Sequence, residues 1–210
     1  MPNLLIPRED LLAFLVAVSF AAGLNVYATI ATLGLLAHAG VVVLPGQLGV
    51  LAEWWVIGVS SALFAIEFVA DKIPVFDLIW NALQTFVRVP VASFLGFAAT
   101  SQLGPEWQFA AASIGGLVAL AAHGGKTAAR VAVTPSPEPL SNIGLSLAED
   151  AFTIFVTWFA TRHPLIAAAI VLALIVVMVV LIRWIIRALK SLFRRPGGAI
   201  PPQTGMVSQP

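Results

Sequence analysis

Residues 67–90 read EFVADKIPVFDLIWNALQTFVRVP, and how this stretch is read decides the fold. It carries five charges (Glu67, Asp71, Lys72, Asp77 and Arg88) and two amides (Asn81 and Gln84) within an otherwise very apolar chain. Successive residues of a helix turn by about 100°, so spacings of about 4, 7 and 11 return to nearly the same face. Asp77, Asn81, Gln84 and Arg88 have that spacing. One helix therefore presents a polar stripe between walls of Leu, Ile, Trp, Phe and Val.

The surroundings make that stripe unusual. Hydrophobic residues are 60% of the chain and charged residues 10%. Soluble domains run about 45–50% and about 25%. So few charges cannot cover a water-facing surface, which implies an integral membrane protein. A net charge of +1 excludes nucleic-acid binding through a strong cationic field. With no cysteine there are no disulfides, thiolate nucleophiles or Cys-type metal sites.

A bilayer core takes about 20 mainly apolar residues per helix. Six helices are expected, near 11–37, 52–70, 75–100, 107–123, 141–161 and 165–186, in one all-α bundle spanning 1–195. A polar, Pro- and Gly-rich tail over 196–210 has little to bury and is expected to be disordered. The first helix is longer than a span needs and carries Gly23-Leu24-Asn25 near its middle, so it is either tilted or broken. Gly124-Gly125 reads as packing and turn residues, at the start of an inner loop over 124–140.

Six spans place both termini on one side. Putting that side in the cytoplasm collects Arg8, Lys72, Lys126, Arg130 and the C-terminal bases there, a positive-inside arrangement suited to the inner (plasma) membrane. The string LLAHAG at 35–40 resembles LAAHGG at 120–125. Pro45 and Pro74 also precede Pro135 and Pro164 at one constant spacing. Two inverted three-helix units are one account of this, and chance matching of Ala- and Gly-rich helices is the other.

Ionisable groups at membrane depth are costly and face the bundle or a water-filled cavity. Arg88 stays charged, so it needs an anion. Asn81 and Gln84 are placed to extend a ladder from Arg88 to Asp77. A second stripe, Asn142, Ser146, Glu149, Thr153 and Thr157, lies on the fifth helix, with Glu149 as an expected partner of Arg88 or a proton carrier. Asp150 is rotated about 100° from Glu149 and need not meet it. Glu67 is retained as a site residue, while Asp71 and Lys72 read as interfacial anchors. Asn25, Thr29 and Thr32 give the first helix a polar face, read as interhelical hydrogen bonding or as an unwound ligand segment.

The three histidines are expected to be too far apart to share a metal. No HExxH, GxSxG, P-loop or GxGxxG pattern occurs. Neither an enzyme nor a cofactor is therefore expected. The expected partners are the lipid bilayer and an unidentified small solute, ion or proton, without nucleic acid, and self-association into a homo-oligomer stays open. A transporter or channel lined by the two stripes is one expectation, and a scaffold or lipid-handling partner braced by them is the other.

GLNVY at 23–27, DKIPVFD at 71–77, NALQTFVRVP at 81–90, AHGGK at 122–126, and SPEPLSN at 136–142 running into LAED at 147–150 resemble a family of small multi-pass bacterial membrane proteins, the domain of unknown function 4126. The resemblance covers about residues 12–190. It implies a membrane fold and carries no activity or substrate with it.

Overall fold

The computed structural model describes residues 4–133 and 139–193. The expected disordered tail over 196–210 lies outside them. Among the described residues seven α-helices follow one another: α1 Leu11–Leu24, α2 Val26–His38, α3 Trp54–Ala70, α4 Pro74–Ala99, α5 Pro105–Val133, α6 Pro139–Arg162 and α7 Pro164–Phe193. Two short strands, β1 Leu4–Leu5 and β2 Val42–Val43, pair in parallel.

Three of these helices, α4, α6 and α7, are long and apolar enough to cross a membrane. A fourth span arises if the 3-10 turn Gly46–Ala52 and α3, bent by 73° at their junction, are taken as one. Among the described residues the expected six spans are therefore not confirmed. The largest difference lies in the first expected span. It is two helices meeting at Asn25, whose backbone is extended (φ −151°, ψ 102°). The pair also does not traverse the bundle. Leu4 aligns with Val42, and Leu11 lines one cavity with Val43 and Leu44, so α2 returns to the end from which α1 set out. The two helices form a V with its apex at Asn25.

The physical cause is local. Asn25 Oδ1 accepts the backbone N–H of Ala28 at 3.0 Å. In a continuous helix that N–H would go to Leu24 O. The Asn side chain thus ends one helix and caps the next, which is what Asn does well at an N-cap. Gly23 permits the apex to sit deep, because a Cβ there would collide with the backbone of Ala119 on α5.

The remaining helices pack around this V. Gly96 of α4 lies on the Ala111 backbone, Gly116 of α5 on Ser93, and Thr85 on His123, so α4 and α5 run antiparallel in close contact. Helix α1 runs beside α5 in the same direction, from Ser19 at Gly115 to Leu24 at Lys126. At the end where α1 starts, Gly46 sits in the left-handed region (φ 57°) against the Ala98 and Ala99 carbonyls. No side chain would fit there. The buried core draws on α1 throughout, with Phe14, Val18 and Ala21 all enclosed. Most of α7 instead turns Leu, Ile and Val outward, as a lipid-facing helix does.

Three further expectations change. Gly124-Gly125 makes no turn, and α5 continues to Val133. The packing half of that reading holds, since Gly125 lets Met178 of α7 lie against the helix backbone. Termini on a common side do not follow, since the V adds no crossing and β1 lies beside the 38–50 loop. The N-terminal strand and the basic end of α7 leave the bundle at opposite ends. The matched strings also occupy unlike places. His38 closes α2 with its Nδ1 3.0 Å from Ala52 O, whereas His123 lies inside α5 against Arg88. The broken α1–α2 pair has no counterpart in the unbroken α5, and the inverted duplication gains no support.

Candidate functional site

Breaking a helix in an apolar interior frees backbone carbonyls that have to be satisfied. Here two side-chain cations do it. Lys126 Nζ donates to Leu24 O at 3.3 Å and Arg88 Nη1 to Gly23 O at 3.4 Å. The C-terminal end of a helix carries partial negative charge, so both contacts also suit the α1 dipole.

Each cation in turn holds carboxylates. Arg88 Nη2 donates to Glu67 Oε1 on α3, with both side chains at 0% exposure. Its Nη1 also lies 2.8 Å from His123 Nδ1, and His123 Nε2 lies 2.8 Å from Thr85 Oγ1. Lys126 Nζ is 3.0 Å from Asp71 Oδ2, 3.4 Å from Glu149 Oε2 and 3.9 Å from Glu67 Oε1. One ammonium therefore gathers carboxylates from the end of α3, from α3 itself and from α6.

On the other arm of the V the polarity is reversed. The N-terminal end of α2 carries partial positive charge. Beside it, Asn25 Nδ2 donates to Asp150 Oδ1 on α6 at 3.0 Å. So two half-helix ends meet at one apex, with cations on the negative end and a carboxylate by the positive end. The rise from Arg88 to Ala99 is about 16 Å at about 1.5 Å per residue, roughly half of an apolar core of about 30 Å.

Several expected site residues come together. Glu67, Arg88, Asn25 and Glu149 all belong to the network. Ser146 is fully buried one turn before Asp150. Gln84 is buried too, but its Nε2 donates to the Tyr27 hydroxyl at 3.3 Å, so it does not extend a ladder from Arg88. The side chains of Asp77, Asn81 and Asn142 lie outside the described residues. Arg88 takes Glu67 in place of the expected Glu149, because α3 and not α6 faces it. Thr153 and Thr157 donate to carbonyls of their own helix, Glu149 O and Thr153 O, and serve α6 itself.

Four members were not expected in the site: Asp71, His123, Lys126 and Asp150. A loop starting at Gly124-Gly125 keeps Lys126 out of the site, and a place at the end of the second expected helix, beside Lys72, makes Asp71 read as an interfacial anchor. The spacing of His123 and Lys126 contained the missing signal, since residues three apart share a helix face once α5 is continued. Asp150 needed the break at Asn25 to become visible.

Among the described residues, Glu67 Oε2, Gln84 Oε1, Ser146 Oγ and Asp150 Oδ2 are buried and have no hydrogen-bond partner. Four carboxylates (Glu67, Asp71, Glu149 and Asp150) share the apex with Arg88 and Lys126. The site thus has spare acceptors and an excess of acid, chemistry that suits protons, small cations or a solute with donor groups. No group of three or more metal-ligating side chains forms among the described residues.

Residues 12–184 match the model of a family described as a domain of unknown function (DUF4126). No curated protein and no solved structure matches the chain.

Proposed function

The chain belongs to the DUF4126 family, and we propose that this protein is a membrane transporter or channel for a small solute or ion, with its polar site at the apex of the α1–α2 V. It performs no catalysis and needs no cofactor in this reading. The observation that carries it is the pairing of two opposed half-helix ends with buried charges, about 16 Å along α4 from its C-terminal end. Broken helices of that kind supply ligand atoms where a regular helix has none to offer. Intramembrane ionisable residues that serve no pathway are hard to justify against their desolvation.

The basic end of the bundle, with Lys72, Arg130 and the bases of α7, faces the cytoplasm of the inner membrane by the positive-inside rule, and the N-terminal strand then lies on the far side. Transport needs no internal duplication, and the protein works in the bilayer without nucleic acid.

The test is reconstitution of the full chain into liposomes, with charge movement recorded under imposed proton, sodium, potassium and chloride gradients. Flux in the unaltered chain that falls in Glu67→Gln and Asp150→Asn supports the reading. No flux under any of these gradients, or flux indifferent to both substitutions, overturns it.

A second reading is favoured by a specific observation. Arg88 is fully enclosed between Glu67, His123 and Gly23 O, as a structural brace would be. A cavity of about 420 Å³ between α2, α3 and α6, lined by Ala28, Leu35, Phe64, Ile154 and Trp158, gives such a scaffold an apolar recess for a lipid chain. In that case the substitutions lower stability and no flux is measurable.

A further inference from the structure

We propose that Asp150 is the proton-exchanging carboxylate of this site, and that Asn25 transmits its protonation to the helix break. The use of the proton in transport rests on the reading above, whereas the proton site itself does not.

The four carboxylates differ in what faces them. Glu67 is held by Arg88, and Asp71 and Glu149 by Lys126. Asp150 makes no ion pair among the described residues, and its hydrogen-bond donor is the neutral amide of Asn25. It is 5% exposed, and its Oδ2 has no partner. An unpaired carboxylate in an apolar interior is held at great cost unless something neutralises it.

The charged groups around it come from several elements: Lys126 from α5, Asp71 and Lys72 from the end of α3, and Glu149 beside it on α6. Their signs are mixed, so none supplies a dedicated counter-charge. A metal cation needs a shell of several oxygens, whereas a proton needs one lone pair, and Asp150 Oδ2 has it. Glu149 is the more exposed neighbour, at 12% side-chain exposure.

Protonation has a mechanical consequence. A hydronium ion gives up one of its O–H protons to Asp150 Oδ2 and leaves as water, and the carboxylate becomes a neutral acid. Its Oδ1 is then a carbonyl oxygen, a weaker acceptor than a charged carboxylate, so the bond from Asn25 Nδ2 loosens. The same Asn25 side chain caps α2 through Ala28 N. Proton uptake on α6 is thereby linked to the cap that defines the V.

Infrared difference spectra between acidic and alkaline buffer, on the full chain in lipid nanodiscs, test this. With ¹³C at aspartate carboxyls, a protonated-carboxyl band is expected that moves with the label, disappears in Asp150→Asn, changes frequency in Asn25→Ala and survives in Glu149→Gln. A band that ignores the label, persists in Asp150→Asn or is replaced by a response to sodium at fixed pH overturns the proposal. Should Asp150→Asn misfold, the labelled unaltered chain and Asn25→Ala decide, and a band unmoved by Asn25→Ala overturns it. An intact Asp150 band in vesicles without flux refutes transport and leaves the proton site standing. Proton-driven flux undiminished in Asp150→Asn does the reverse.

Discussion

Replacing Lys126 by Met tests the centre of the network, because the two side chains have similar volume and differ in the ammonium. That ammonium lies within 3.9 Å of three carboxylates and 3.3 Å from Leu24 O, and Lys126 is only 3% exposed. Removing one partner from a buried charge cluster costs about 3–5 kcal/mol, since the other partners are left uncompensated. For a chain of this size each kcal/mol moves the thermal midpoint by about 2–4 °C, so a fall of about 6–20 °C is expected. Thermal unfolding followed by tryptophan fluorescence in detergent measures it, using the six Trp residues of the chain. A double-mutant cycle with Asp71→Asn should recover part of the loss, with a coupling of about 0.5–3 kcal/mol. A midpoint shift below about 2 °C, or a strictly additive cycle, would refute the ion-pair account.

Other outcomes follow from the same geometry. Asn25→Ala removes the α2 cap and the Asp150 donor together, and should cost about 1–3 kcal/mol in the same unfolding assay; a neutral result removes Asn25 from its place at the break. Gly23→Ala should cost about 1–3 kcal/mol by driving a methyl into the Ala119 backbone. Gly124→Ala meets nothing and should stabilise by up to about 1 kcal/mol through helix propensity. Equal effects at the two glycines would contradict the packing of α1 on α5. The chain has no native Cys, so single cysteines report topology cleanly. Cysteines at Glu9 and Gly49 should react with an impermeant maleimide from one side, and one at Arg187 from the other. Labelling of positions 9 and 187 from a common side would reject the V.

The chemistry of the membrane fold was legible because composition is additive. With 60% hydrophobic residues and 10% charges, no arrangement of this chain makes a soluble surface. The inward face of α4 was legible too, since helical periodicity alone puts Gln84 and Arg88 on one side and Phe86 on the other. Arg88 was certain to need an anion, and Glu67 was among the candidates.

What could not be read was which charges meet and how often the chain crosses the bundle. Both turned on single residues whose effect depends on neighbours distant in sequence. Gly124-Gly125 reads as packing and turn alike until Met178 of α7 is seen against Gly125, and only the continued helix brings His123 and Lys126 inward. Gly23-Leu24-Asn25 fits a tilted helix or a broken one equally well. Broken, it exposes two carbonyls that Arg88 and Lys126 satisfy from α4 and α5.

Residues 67–90 and the composition around them thus determined by themselves that this is a helical membrane protein with a buried polar face. Hydrophobic content and helical period are local quantities. The tertiary structure decided that the first helix folds back at Asn25, that Lys126 belongs to the site and that Asp150 has no ion-pair partner among the described residues. Those facts depend on partners more than 50 positions away along the chain, as with Lys126 and Asp71 or Asn25 and Asp150.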